Sequence, residues 1–170
     1  GSAFTLEWEL RKSAGVSSRR FETMEDTITY APHETDIVFK FISHLDVWTA
    51  IGLSPDGNMP GSDVMLTYLT EYVPLGKSTL SEYFHLSDRR AADYTVPAVD
   101  ASQDLELITK TKNSGAGYEV TFSRKLQTGD AEGDLDIADA NVELIWAYGP
   151  FDRTLGSPKQ HANRGKISVN

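Results

Sequence analysis

Residues 117–124 read GYEVTFSR, and their reading decides the fold. Tyr118, Val120 and Phe122 alternate with Glu119, Thr121 and Ser123. A period of two gives an extended strand one apolar face and one polar face. An amphipathic helix would space its apolar residues by three and four instead. The stretch just before, Asn113-Ser114-Gly115-Ala116-Gly117, is rich in turn residues and lies between two alternating runs, so it predicts a hairpin loop.

The same pattern recurs outward in both directions. Short runs rich in Val, Ile, Phe, Tyr and Trp, separated by Gly and Pro, predict strands at 4–10, 26–31, 36–43, 47–53, 63–70, 79–86, 104–111, 117–124, 141–148 and 166–169. In the run 141–148, Val142, Leu144, Trp146 and Tyr148 share one face. None of these runs is long enough between breakers for a convincing helix. The chain reads as all-β: an antiparallel, immunoglobulin-like β-sandwich of about nine or ten strands. One domain over residues 3–170 is expected, with Gly1-Ser2 read as a cleavage remnant and targeting or anchoring segments expected in a longer parent. Only 125–140 and 149–165 are long and polar enough for substantial loops.

Composition narrows the function classes. The chain has 170 residues, 39% hydrophobic and 24% charged, which is ordinary for a globular protein with a proper core. A net charge of −9 argues against nucleic acid, which selects a basic face, and suits a basic protein partner. The absence of cysteine excludes disulfides, thiolate zinc sites, iron–sulfur clusters and thiol nucleophiles. No apolar run reaches the roughly 20 residues of a membrane helix, so membrane contact is expected only through parts of the parent. Gly52-Leu53-Ser54-Pro55-Asp56-Gly57 fails the nucleophile-elbow pattern, and no phosphate-binding glycine loop is present. The acidic stretch 130–139, DAEGDLDIAD, lacks the spacing of a calcium loop and reads as a solvated loop.

Two residues resist absorption into this plan. Met59 sits at the tip of LSPDGNMPGSD (53–63), among turn residues. It is either a gap-filler folded back onto the sandwich or a sulfur ligand. His161 lies in SPKQHANRG (157–165), where no bulky apolar neighbour calls for an imidazole in a core. The other histidines read differently. His33 and His44 fall in turns and are expected at the surface, while His85 at a strand end is expected half-buried with a hydrogen-bond partner.

Three pieces, in order along the chain, resemble the DOMON family. They are VWTAIGLSPDGNMPGSDVMLTYL (47–69), YEVTFSRKLQTGD (118–130), and VELIWAYGPFD (142–152) followed by HANRGKISVN (161–170). The family is found in dopamine β-monooxygenase-like proteins, cellobiose dehydrogenase cytochromes and ferric-chelate-reductase-like membrane cytochromes. The resemblance implies a β-sandwich. In the haem-binding branch it implies one Met and one His clasping a b-type haem, which match Met59 and His161. Gly129 stands where copper-monooxygenase relatives often carry Cys, so a close monooxygenase relative is not implied.

Such a haem would be non-covalent, because no Cys-x-x-C-H motif is present. It would need an apolar slot, for which Trp48, Leu53, Val64, Tyr83, Phe84, Trp146, Tyr148 and Phe151 are the candidate walls, with Arg164 or Lys159 facing the propionates. With both axial positions filled by protein, the expectation is an electron-transfer domain and not an enzyme by itself. A redox partner and the extracellular or lumenal face of a membrane follow from the resemblance. Two other readings stay open: a haem-free module for carbohydrate or protein, and a His/Met copper site.

Overall fold

The computed structural model describes residues 4–12, 19–21, 34–73, 75–79, 81–115, 117–137, 142–152 and 156–168. Its strands are β1 (Phe4–Lys12), β2 (Arg19–Phe21), β3 (Glu34–Ser43), β4 (Trp48–Ser54), β5 (Asp63–Tyr72), β6 (Ser81–Arg90), β7 (Ala98–Val99), β8 (Leu105–Lys112), β9 (Tyr118–Lys125), β10 (Glu143–Gly149), β11 (Phe151–Asp152), β12 (Ser157–Pro158) and β13 (Asn163–Ser168). Nine of them have six residues or more, and these are the predicted strands that fall on described residues. The run 26–31 and His33 lie outside the described residues.

All pairings are antiparallel. One sheet has the order β2-β1-β3-β9-β8 and the other β13-β10-β4-β5-β6-β7, with β11 and β12 forming a small separate pair. The two larger sheets face each other as a sandwich. Phe4, Leu6, Trp8 and Leu10 of β1, Phe39 and Phe41 of β3, and Tyr118, Val120 and Phe122 of β9 meet Ile51 and Leu53 of β4, Met65 of β5 and Leu144 of β10. Alternation thus places the residues it should. Each fully buried apolar side chain of this kind contributes about 1.5–3 kcal/mol, so this slab supplies most of the cohesion.

Two polar groups cross the slab. The Tyr118 hydroxyl lies 2.8 Å from Thr49 Oγ1 and 3.0 Å from Thr67 Oγ1, joining β9 to β4 and β5. Burial pushes its phenol up to about 12, so it stays protonated. Arg124, next inward on β9 after Phe122, donates from Nη1 to Asp63 Oδ2 at 2.6 Å and from Nη2 to the Leu135 carbonyl at 3.3 Å. Asp134 Oδ2 is 3.3 Å from Arg124 Nη2. Burial pushes the carboxyl of Asp88 up to about 8 and that of Asp63 up to about 6. The charge of Asp63 adds to the first, while that of Arg124 restrains the second.

Three expectations change. The stretch 130–139 is not simply solvated: Ala131 and Glu132 are exposed, but Asp134 is buried because Arg124 recruits it. The predicted loop 149–165 contains β11 and β12, which pair Phe151 with Pro158 and Asp152 with Ser157. And β6 runs on through Ser87-Asp88-Arg89-Arg90, where polarity suggests a stop, because β5 continues to pair with it as far as Asp63 opposite Arg90.

Candidate functional site

Every residue of β4 is buried, on both of its faces. The inner face, Ile51 and Leu53, belongs to the slab, whereas the outer face of a sandwich is normally solvated and polar. Here the outer face carries Trp48 and Ala50, joined by Val64, Leu66 and Tyr68 of β5, with Met59, Ala147 and Phe151 packed against them. Something covers the outside of this sheet.

The cover is a set of loops standing around a cavity of about 920 Å³. That volume is in the range of small-molecule and cofactor sites. Its floor is apolar: Ala50 and Gly52 of β4, Val64 and Leu66 of β5, and Ile145 and Ala147 of β10. Its walls are Gly57-Asn58-Met59, Tyr94-Thr95-Val96-Pro97 and Pro158-Lys159-Gln160-His161. Arg164 and Lys166 of β13 complete one rim. Gly52 keeps the floor flat, since a Cβ there would meet Ile145 Cγ1 at 2.7 Å.

The methionine loop is built by its own hydroxyls. The Asn58 carbonyl accepts from Ser54 Oγ and from Ser62 Oγ, each at 2.7 Å. Asp56 accepts from the Asn58 backbone N–H at 2.9 Å, an Asx turn. The Ser62 N–H closes the tip on the Met59 carbonyl at 3.1 Å, and the Gly61 N–H ties the loop to the Ala91 carbonyl at 2.7 Å. Polar groups satisfied below leave Met59 as the side chain presented to the cavity, half-buried.

The histidine loop is held from underneath. Trp48 Nε1 donates to the Lys159 carbonyl at 3.0 Å, and the Ala162 N–H donates to the Tyr148 carbonyl at 2.8 Å. Gly149 makes this close approach possible, because a Cβ there would sit 2.8 Å from His161 Cα. His161 is half-buried, and among the described residues its imidazole has no hydrogen-bond partner.

The predicted site residues separate into two groups. Met59, His161, Trp48, Trp146 and Arg164 all border the one cavity, as do Val64 and Lys159. The Trp146 ring itself turns inward, with its centroid 5.7 Å from Phe4. Leu53 does not reach the cavity: it is five residues from Trp48 on the same strand, hence on the opposite face, and is buried in the slab. Tyr83 and Phe151 lie beside the cavity in a row of rings. Phe151 stacks on Tyr68 (4.4 Å), Tyr68 on His85 (4.1 Å), and the edge of Tyr83 meets His85 (4.5 Å). His85 is half-buried and 2.9 Å from Thr70 Oγ1, as expected, and His44 is exposed.

Sequence reasoning misses the wall 94–97. Tyr94 is 70% exposed and Val96 56%, apolar groups that line the cavity and remain open to solvent. Their signal is an apolar pair inside the turn-rich run RRAADYTVPAVD (89–100), which mimics an ordinary loop. Along the rim, Lys159 Nζ pairs with Asp152 at 3.1 Å and Lys166 Nζ with Glu143 at 2.8 Å. Among the described residues the Arg164 guanidinium has no ion pair. With both lysines paired, Arg164 is the cation that this rim leaves open, in a chain of charge −9.

Fold and cleft together define a class: antiparallel β-sandwiches with a cleft on the outside of one sheet beneath loops. Residues 23–149 match the DOMON domain family, and the chain belongs to that family. It is 28% identical over 122 residues, 72% of its length, to MOXD1 homolog 2 of Drosophila melanogaster, and the match spans 15% of that protein. The fold is similar to the cytochrome b domain of pyranose dehydrogenase from Coprinopsis cinerea. The TM-score is 0.61 at 12% identity, covering 96% of this chain and 74% of that one. It is also similar to the cytochrome domain of Myriococcum thermophilum cellobiose dehydrogenase. There the TM-score is 0.55 at 17% identity, covering 98% and 75%. Both neighbours are domains of dehydrogenases.

Proposed function

We propose that this chain is a b-type haem-binding electron-transfer domain in which Met59 and His161 are the two axial ligands. The observation that carries the reading is that these two side chains, 102 residues apart by their numbers, line one cavity on the outside of the same sheet. A haem is a flat apolar ring with two carboxylates on one edge. The flat floor of Ala50, Gly52 and Ala147 suits the ring, and Arg164 suits the carboxylates, with Lys159 available if it exchanges Asp152 for one of them. The cytochrome domains of similar fold add support.

When bound, the haem would supply a single reversible electron. Thioether sulfur favours the ferrous state more than a second imidazole would, raising the potential. Packing of the ring against the apolar floor would raise it further. With Met59 and His161 both binding the iron, no open position would remain for oxygen activation. The domain is read as one DOMON unit over 3–170, serving a redox partner on the extracellular or lumenal face of a membrane. Among the described residues, no helix is long and apolar enough to cross a membrane.

Haemin titration of the purified protein tests the reading. A saturable one-to-one complex with a low-spin spectrum, retained through gel filtration and reversible with dithionite, is expected. A spectrum unchanged from free haemin would overturn it. A haem-free carbohydrate module would then lead, on the strength of the ring row ending in Tyr83, which is 57% exposed.

A further inference from the structure

The inner end of the sandwich holds a second constellation, separate from the cleft. Asp63 (β5) and Asp88 (β6) face inward from one sheet, Arg124 faces them from the other, and Asp134 closes the end from the segment after β9. One carboxylate oxygen from each of Asp63, Asp88 and Asp134 can be chosen so that all three lie within 4.8 Å of one another. Those side chains are as buried as the core. Asp63 and Arg124 are 0% exposed, and Asp88 and Asp134 expose 1% and 6% as residues. None of the three acids lines the cleft.

We propose that this cluster is a site for a divalent metal ion, calcium by its chemistry. Three observations converge. The first is charge: three carboxylates and one guanidinium leave −2 when all are ionised, which a dication would balance; without the ion, the raised carboxyls of Asp88 and Asp63 hold protons in its place. Buried charge without such balance costs several kcal/mol per ion. The second is missing donors. Asp63 Oδ1, Asp88 Oδ1 and Asp134 Oδ1 are buried without a donor, as is Oδ2 of the neighbouring Asp104, while Asp134 Oδ2 has only the Arg124 guanidinium at 3.3 Å and the Asp63 and Asp88 carboxyls have each other. Arg124 and the Leu135 N–H use only Asp63 Oδ2. The third is proximity. One oxygen from each acid lies within 4.8 Å of the others, so a single ion with calcium's bond length of about 2.4 Å can reach all three, and calcium tolerates irregular geometry that magnesium does not. All available donors are carboxylate oxygens, which exclude soft metals.

The ion would join β5, β6 and the 126–137 segment. Asp63 follows Ser62, whose N–H and hydroxyl close the Met59 loop, so the ion would also fix the base of that loop. The competing account fills the same need with protons shared among the carboxyls.

Protein treated with a chelator and dialysed is titrated with calcium chloride by calorimetry, with melting temperature followed in parallel. No haem is required, so this test is independent of the cleft reading. One equivalent is expected to bind saturably and to raise the melting temperature, with magnesium at least tenfold weaker. Asp88→Asn should lower calcium affinity at least tenfold. Asp134→Asn is the second variant should Asp88→Asn fail to fold. The proposal is overturned if the chelator-treated wild type shows neither heat nor thermal shift up to about 10 mM calcium, tenfold above the weakest calcium modules. It is equally overturned if Asp88→Asn and Asp134→Asn bind calcium as the wild type does.

Discussion

Met59 is the side chain whose role changes most with context. As a gap-filler it is replaceable: Met59→Leu conserves volume and should cost under about 1.5 kcal/mol in the apo-protein. As a ligand it is not. In the haem complex the same change should give a high-spin spectrum, a lower potential and binding of added imidazole, each read by absorption and potentiometry. His161→Ala should weaken haem retention more, since Gln160, Ala162 and Asn163 beside it offer no second imidazole. His85 makes a different kind of test. Burial first, and then the Arg89 charge, hold its imidazole below the ordinary range. The folded state therefore resists the proton more than the unfolded chain does. Its contribution is complete above the unfolded value of about 6.5 and is lost as pH falls through the folded value. Asp88 and Asp63, with carboxyls pushed up to about 8 and about 6, oppose this by taking up protons in the folded state over the same range. The His85 effect is therefore read as a difference in urea unfolding of apo-protein: relative to wild type, His85→Gln should gain stability as pH falls below about 6.5, changing the slope. An unchanged slope would mean that His85 takes up protons equally in both states.

Strands and loops divide the work of the cleft. β4 supplies a floor on one face and a core on the other, which is why all seven of its residues are buried. The loops on either side of that floor are held by few contacts, so small changes at their bases should matter. Gly149→Ala puts a methyl 2.8 Å from His161 Cα and 2.9 Å from the Gln160 carbonyl oxygen, both backbone atoms. The loop must shift, at a cost of about 1–3 kcal/mol for overpacking. Haem dissociation, timed by transfer to apomyoglobin, should speed up because the histidine moves with its loop. A faster loss of haem with an unchanged urea midpoint would show that the loop gives way without straining the sheet.

The two sheets are joined by apolar area and given their mutual position by the polar crossings. Arg124 reaches from β9 to Asp63 on β5 and to Asp134, so it touches both layers and the segment that closes their end. Arg124→Leu removes the cation and leaves carboxylates without a partner, and should destabilise by about 3–5 kcal/mol in equilibrium urea unfolding. Tyr118→Phe should cost less, about 1 kcal/mol, because Thr49 and Thr67 remain 2.8 Å apart and can bond to each other. If the two variants were equal, the cohesion of the sandwich would lie in the apolar slab alone.

The sequence by itself determined the strands, their alternation and the two residues that stand out. Tyr118, Val120 and Phe122 point inward because period two is a local property of an extended chain. Met59 and His161 are visible because each sits where neither a turn nor a core requires it. Strand parity is also legible, and it sets Leu53 on the face opposite Trp48, away from the cleft. Tertiary structure alone decided which side of the second sheet would be covered. That cover depends on contacts such as Trp48 with the Lys159 carbonyl, 111 residues apart, which no local pattern encodes. It also decided that Asp88 and Asp134, polar in any local reading, would be drawn inside. A buried guanidinium requires counter-charges, and Arg124 finds one on a strand 61 residues away.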